Sequence, residues 1–266
     1  MGAVKPKKAL GQHFLTDLGI ARRIASTVAD CPGLPVIEVG PGMGVLTQFL
    51  VADGRDVTVV ELDSESVEYL RRGAVAGLDS DRIIEADFLR LDLAALTGGA
   101  KCCVIGNYPY NISSQIFFKV LDARDIVEEC SGMLQREVAE RLCAPPGTKA
   151  RGILSVLLQT WYTAEYLFTV PETVFNPPPK VKSGVIRLRR NDVTHPGCDF
   201  ALMRTVVKTT FGQRRKTIRN SVRPLLPPAT AFPADSPLGA LRPEQLSVAQ
   251  FVELTNLVAS LRNETK

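Results

Sequence analysis

The chain has 266 residues, 45% of them hydrophobic and 23% charged, which is the balance of a globular protein with a full core and room for one large domain or a main domain with a small annex. No apolar run reaches membrane-spanning length, and the start carries charge without a hydrophobic signal core, so neither a membrane partner nor a secretory route is expected. The formal charge is only +4 but unevenly spread: Lys5, Lys7 and Lys8 crowd the start, and Arg214, Arg215, Lys216 and Arg219 form a second cluster, a distribution that suits a phosphate backbone as partner.

Gly11-Gln12-His13-Phe14-Leu15 follows the basic arm, which leaves little room for a transit peptide. A lone histidine such as His13 is more often structural than a ligand. Thr16 or Asp17 can cap a helix bearing Ile20, Ile24 and Val28 on one face. Pro32, Gly33 and Pro35 then break the chain before a strand, Val36–Val39, that runs into Gly40-Pro41-Gly42-Met43-Gly44. A helix over Val45–Val51 closes near Gly54. Val57–Val60 is a second strand ending at Glu61, and Ser64–Arg72 are helical. A third strand, Arg82–Ala86, delivers Asp87. The fourth, Cys102–Ile105, ends at Gly106-Asn107-Tyr108-Pro109-Tyr110, ahead of apolar residues at helical spacing from Gln115 to Leu121. Strand, glycine loop, helix, strand, acid, helix: this alternation predicts a mostly parallel sheet with helices on both faces.

Further on, Cys130–Leu134 reads as a fifth strand, followed by a helix through Val138 and Leu142 and another over Ile153–Gln159. Tyr162–Val170 and Gly184–Leu188 read as strands joined by the rigid loop Phe175-Asn176-Pro177-Pro178-Pro179-Lys180, hence an antiparallel pair at one sheet edge with the prolines off the ladder. Beyond about residue 191 the character changes to helical and basic, interrupted by prolines, with Ser247-Val248-Ala249-Gln250 as a capping box. Two domains follow: 1–191, carrying the sheet and the basic arm, and 192–266, helical. The six cysteines (31, 102, 103, 130, 143 and 198) show no C-x-x-C spacing and no nearby histidine. They are expected to be reduced and buried in a cytoplasmic protein that binds no metal.

The glycine loop alone is a weak signal, because its spacing is G-x-G-x-G rather than the dinucleotide fingerprint. Gly40, Gly42 and Gly44 permit a tight turn and close ligand approach. Glu61 stands about 20 residues on, where a ribose-binding acid belongs, in nicotinamide and S-adenosylmethionine enzymes alike. Asp87 repeats the pattern one strand later and could accept from an adenine amino group. The first and fourth strands are neighbours across the switch point of a doubly wound sheet, so Asn107 and the glycine loop face one crevice. There the chain places an amide, two phenols and a proline, with no acid, base or thiol. An adenine amine is a poor nucleophile because its lone pair is delocalised into the ring. Two acceptors on its N–H groups favour a tetrahedral nitrogen, and the candidates are the Asn107 side-chain oxygen and the Tyr108 carbonyl, whose direction Pro109 fixes. Tyr110 offers a face on which an extruded base can stack.

These residues carry a family resemblance. E-V-G-P-G-M-G from Glu38, V-V-E-L-D from Val59, E-A-D-F from Glu85, N-Y-P-Y-N-I-S from Asn107, M-L-Q-R-E-V from Met133, F-N-P-P-P-K-V from Phe175 and F-G-Q-R-R-K-T-I-R-N-S from Phe211 resemble, in order, the ribosomal RNA adenine N6,N6-dimethyltransferases. The match is nearest to the bacterial small-subunit enzymes and spans nearly the whole chain, from Gly11 to Phe251. The resemblance implies a class I methyltransferase fold, Rossmann-like, with S-adenosylmethionine as methyl donor. It implies that His13 and Leu15 close over that donor, that Gly40 approaches its methionine part, Glu61 its ribose and Asp87 its adenine, and that Phe175 joins Tyr110 in sandwiching the target adenine. His13 stands where many relatives have Asn, and Tyr108 where many have Leu. The implied substrate is a pair of adjacent adenosines in the 3′-terminal hairpin loop of small-subunit rRNA, modified by a monomer late in 30S assembly, with Arg214, Arg215, Lys216 and Arg219 as phosphate contacts. In the family, loss of the modification gives kasugamycin resistance. Three other readings stay open: the antibiotic-resistance branch acting on large-subunit rRNA, an assembly or transcription factor that kept the fold, and, as a distant third, a nicotinamide dehydrogenase.

Overall fold

A computed structural model describes residues 6–7 and 11–263; Lys5 and Lys8 of the basic arm lie outside the described residues. After a two-residue strand β1 (Phe14–Leu15) and helix α1 (Leu18–Ala25), the chain runs through β2 (Val36–Val39), α2 (Thr47–Ala52), β3 (Val57–Glu61), α3 (Ser64–Tyr69), β4 (Ile83–Glu85) and α4 (Leu93–Thr97). Next come β5 (Cys102–Asn107), α5 (Ser113–Asp122), β6 (Val127–Gln135), α6 (Arg136–Leu142), α7 (Ile153–Gln159), β7 (Tyr162–Val170), β8 (Phe175–Asn176) and β9 (Ser183–Arg190). The last elements are α8 (Phe200–Gly212), α9 (Ile218–Ser221) and α10 (Val248–Asn263). Two compact units result: one runs to Glu140 and resumes over Thr163–Arg190, the other takes Arg141–Tyr162 and the chain from Asn191 onward.

The first unit is built on a seven-stranded sheet of order β4-β3-β2-β5-β6-β9-β7. β4 to β6 are parallel neighbours, and β9 runs antiparallel to β6, so the sheet is mostly parallel with an antiparallel edge. β5 reads as an unbroken apolar run and β2 as one interrupted only by Glu38, because every residue of β2, and β5 from Cys102 to Gly106, is buried. Register then sets the site: Val39 lies beside both Val60 and Gly106, which brings the segments after β2, β3 and β5 to one edge. The chain order reverses between β2 and β5, the switch point where open α/β sheets hold ligands. Asp17 caps α1 by accepting from the Ile20 N–H at 2.9 Å, and Ala21, Ile24 and Ala25 bury its inner face.

The loop 175–180 holds more structure than the sequence suggests. Phe175–Asn176 is itself the strand β8, paired antiparallel with β1, so that Leu15 faces Phe175 and Phe14 faces Asn176. Thr16 adds backbone and side-chain donors to the Val174 carbonyl, both at 2.9 Å. A segment from the N-terminus is thereby stitched to one that lies about 160 residues away along the chain.

The second unit is helical. Its domain assignment needs correction, because α7 belongs with α8 and α10 rather than with the sheet. The reason is burial all round: Leu154, Val156, Leu157 and Leu158 cannot all be covered by one partner. The capping box before α10 forms reciprocally, Ser247 N–H to Gln250 Oε1 at 2.9 Å and Gln250 N–H to Ser247 Oγ at 3.2 Å. Phe211 stacks on Phe251 to join α8 and α10. None of the six cysteines forms a disulfide, but Cys31 and Cys143 are partly exposed rather than buried, since both lie outside the strands that bury Cys102, Cys103 and Cys130. Among the described residues, no helix is long and apolar enough to cross a membrane.

Candidate active site

A crevice at the C-terminal edge of the sheet is lined by residues from 11–15, the glycine loop after β2, the ends of β3 and β4, and the segment after β5. His13, Leu15, Gly40, Gly42, Glu61, Asp87, Asn107, Tyr108, Pro109 and Tyr110 all line it, so ten of the predicted site residues meet in one place.

At the glycine-loop end, Glu61 is buried and its carboxylate is held by backbone. Oε2 accepts from the Gly42 N–H at 3.0 Å, and Oε1 accepts from the Leu62 and Asp63 N–H groups, each at 2.9 Å. Burial raises its pKa above the ordinary carboxylate value, against those three donors. Gly42 has φ +54°, and a Cβ there would stand 2.9 Å from the Phe14 ring. Gly40 also has positive φ, with open space where its Cβ would be. Asp87 spends Oδ1 on the Leu89 N–H at 2.9 Å, which turns the chain after β4 and presents Phe88 to the crevice wall.

Glu38 escapes a reading of motifs alone, because it sits inside an apolar strand. It is 1% exposed, lines the crevice, and its Oε2 lacks a hydrogen bond. Burial pushes its carboxyl up to about 8; the Thr47 hydroxyl beside it offsets this only in part, and the Glu61 charge adds to it. An unpaired buried oxygen next to a second buried carboxylate suits a cationic ligand. The sequence signal for it is an acid where a central strand allows none without a purpose.

At the opposite end, Asn107 ends β5. Its Nδ2 donates to the His13 carbonyl at 3.1 Å, so its Oδ1 remains as an acceptor, and no described residue donates to it. The Tyr108 carbonyl receives no hydrogen bond among the described residues either; the following turn closes instead from the Ile112 N–H to the Pro109 carbonyl. The Tyr108 side chain points away from that chemistry. It is 1% exposed, its hydroxyl donates to the Ser131 carbonyl at 2.6 Å, and its ring meets Phe117 edge-on. Room for the ring comes from Gly132, at φ +151°, where a Cβ would lie 2.2 Å from the Gly106 carbonyl and 2.6 Å from the Tyr108 ring. Tyr110 is anchored through its hydroxyl to Ser183 Oγ at 2.5 Å and stacks on His13, with ring centroids 5.6 Å apart.

Two predicted residues fall elsewhere. Gly44 does not line the crevice; its missing Cβ admits Val75 and Leu70, since a Cβ would stand 2.3 Å from the Val75 side chain. Phe175 is buried in the core and does not line the crevice. Lys7 is no free arm residue: it pairs with Asp63 and, at 3.2 Å, with Glu65. Burial works against ionisation of Asp63, but the bonds from Lys7 and Ser66 outweigh it and hold that carboxyl below its usual range. In the helical unit the basic cluster is only partly available. Arg214 donates to the Lys149 carbonyl and lies 3.6 Å from Glu244, and Arg219 donates to the Ala234 carbonyl at 2.9 Å. Arg215, Lys216 and Arg219 are exposed, and Lys216 donates to the Gln213 side-chain oxygen at 3.0 Å.

Comparisons with known proteins place the chain in a family. A family model described as ribosomal RNA adenine dimethylase matches residues 3–260. The chain is 60% identical over all of its length to ribosomal RNA small subunit methyltransferase A of Phocaeicola vulgatus, covering 94% of that protein. It is 64% identical over 96% of its length to the protein of the same name from Parabacteroides distasonis, again covering 94% of it. Among solved structures it is similar to a dimethyladenosine transferase from Plasmodium falciparum, with TM-score 0.73 and 21% identity over 95% of this chain and 98% of that one. The 23S rRNA methyltransferase ErmE follows with TM-score 0.68 and 26% identity over 92% of this chain and 99% of that one.

Proposed function

The chain belongs to the ribosomal RNA adenine dimethylase family, and on that premise we propose that it dimethylates the N6 amines of two adjacent adenosines in the 3′-terminal hairpin loop of small-subunit rRNA. The enzyme works as a cytoplasmic monomer on a late pre-30S particle. The small-subunit target is favoured because the full-length relatives bear that name, whereas the 23S rRNA enzyme shares far fewer residues. A hairpin loop suits the chemistry, since its bases leave the stack at little cost.

The observation that carries the reading is the pair of acceptors at the end of β5. With its Nδ2 committed to His13, Asn107 keeps Oδ1 for an incoming N–H, and the Tyr108 carbonyl is a second acceptor one residue on. Aimed at the two hydrogens of one amine, they favour a tetrahedral nitrogen whose lone pair has left the ring. They also stabilise the positive charge that develops on that nitrogen, and being fixed in place they reorganise little as it does so. Once methylated, the nitrogen is acidic enough to lose its proton without a dedicated base. The second transfer proceeds with one N–H left to hold.

S-adenosylmethionine is the methyl donor of this reading, and when bound it supplies an electrophilic methyl on a sulfonium. The residues fit that group: Glu61 is a buried carboxylate on the crevice wall, Glu38 beside it is a buried carboxyl with an unpaired oxygen, and Gly40 leaves open space. Glu61 would hold the ribose, Asp87 the adenine, and Gly40 and Gly42 the methionine part. Tyr110 would carry the target base on its ring. Arg215, Lys216 and Arg219 are the phosphate contacts best placed by exposure.

The test is transfer of tritiated methyl to isolated small and large subunits from cells lacking the modification. Label should enter small-subunit RNA and digest to N6,N6-dimethyladenosine. Label confined to large-subunit RNA would overturn the reading.

A further inference from the structure

Tyr110 lines the crevice, and it is held at both ends. At the near end its main-chain carbonyl accepts from the Ser113 hydroxyl at 3.3 Å. At the far end its phenol hydroxyl shares a 2.5 Å hydrogen bond with Ser183 Oγ, 73 residues further along the chain. Ser183 is fully buried and opens β9, where it stands opposite Gln135 of β6. The residue before it is pinned too, since the Lys182 carbonyl accepts from the Arg136 N–H at 3.0 Å. The Oγ is thus placed by the sheet rather than by a free loop. Ser183 itself does not line the crevice, so it acts on a bound base only through the phenol.

A tyrosine ring fastened at one end turns between rotamers; fastened at both, it presents one plane. The two methyl transfers call on that plane unequally. Each forms one N–C bond at the expense of the donor's S–C bond and releases one proton to water. In the first, the amine offers two N–H groups, and the Asn107 Oδ1 and the Tyr108 carbonyl can hold both. In the second, a methyl has replaced one hydrogen, so one acceptor has lost its donor. A base held by a single hydrogen bond can pivot about it, and a pivot carries the lone pair off the line of transfer. Stacking on a fixed ring is what remains to stop that pivot.

We propose that Ser183 is a positioning residue for the target adenine, acting through the Tyr110 hydroxyl, and that the second methyl transfer depends on it more than the first. The inference rests on the roles of Asn107, Tyr108 and Tyr110 given under Proposed function. Its test is a single-turnover time course on unmodified small subunits, with enzyme in excess and S-adenosylmethionine saturating. N6-methyladenosine and N6,N6-dimethyladenosine are quantified by mass spectrometry for wild type, Ser183→Ala, Tyr110→Phe and the double variant.

Ser183→Ala should slow the first transfer about twofold to threefold and the second about tenfold, so that monomethyl product accumulates. Tyr110→Phe keeps the ring and breaks the same bond from its other side. The same bias is expected there, which keeps the test open even if the serine variant folds poorly. The double variant also removes the buried hydroxyl that Tyr110→Phe strands. It should bias the product no further than either single change, because the two act through one bond. A bias that disappears in the double variant would mean that the bond serves stability alone, and would overturn the proposal. So would equal slowing of both transfers, or full additivity of the two changes. Wild type that makes no N6,N6-dimethyladenosine on small subunits would end the reading under Proposed function instead. Normal dimethylation by wild type with unbiased variants would end this inference alone.

Discussion

The two ends of the crevice are held by different means. At the glycine-loop end, Glu61 is fixed by N–H groups from Gly42, Leu62 and Asp63, and Asp87 by the N–H of Leu89. Every partner comes from the same loop or from the adjacent one after a neighbouring strand. At the Asn107 end two of the partners are remote, His13 for Asn107 and Ser183 for Tyr110, while Ser131, which takes the Tyr108 hydroxyl, lies on the neighbouring strand. A site can therefore be half local motif and half long-range assembly, and the two halves should fail differently. Damage to the first should loosen the ligand. Damage to the second should spare binding and remove chemistry, or unfold the sheet edge.

The largest expected effect is at the remote end. Asn107→Ala should lower methyl transfer by about 10²–10³-fold, the usual cost of losing one fixed polar group that stabilises transition-state charge. Donor affinity, by calorimetry, should change little; an equal loss in both would erase the distinction between the two ends. Gly132→Ala comes next, because its Cβ would collide with the Gly106 carbonyl and the Tyr108 ring. Urea unfolding should show about 2–3 kcal/mol of destabilisation, with the tyrosine forced out of its slot. Wild-type stability would mean that the slot yields easily and fixes nothing.

At the local end, Glu61→Gln keeps the shape but leaves at most one acceptor oxygen for three N–H donors. The donor Kd should rise about tenfold or more while kcat at saturation stays within a few-fold. A kcat loss with unchanged Kd would move Glu61 to the chemical step. The smallest effect concerns Glu38. Its folded carboxyl is raised to about 8 from an ordinary 4.5, so between those values the folded protein keeps a proton that the unfolded chain has lost. The stability this proton supplies is present in acid and drains away as pH rises through about 8. Glu38→Gln should flatten the fall in melting temperature between pH 6 and pH 9 in the ligand-free protein. An identical slope in the variant would show that Glu38 is ionised throughout.

Much of the architecture is legible in the amino-acid sequence. The order of strands in the parallel part follows from alternating apolar runs, glycines and acids, because a sheet covered on both faces demands such runs. Asn107, Glu61 and Asp87 can be placed because strand ends in a doubly wound sheet share one edge. Phe175 and Gly44 cannot. Motif position says which loop a residue belongs to, but not how deeply its side chain is buried, and Phe175 lies in the core. The membership of α7 in the helical unit is hidden for a similar reason. An all-apolar helix says that it must be covered without saying by what.

The sheet, the crevice edge and the chemistry of the residues facing it are therefore properties of the sequence, since periodicity and strand-end position are local to the chain. Tertiary contacts alone settle that the His13 carbonyl meets Asn107 while its ring stacks on Tyr110, and that Gly132 makes room for Tyr108. Each of these joins residues that are distant along the chain. Burial and close approach, unlike periodicity, exist only once such residues have met.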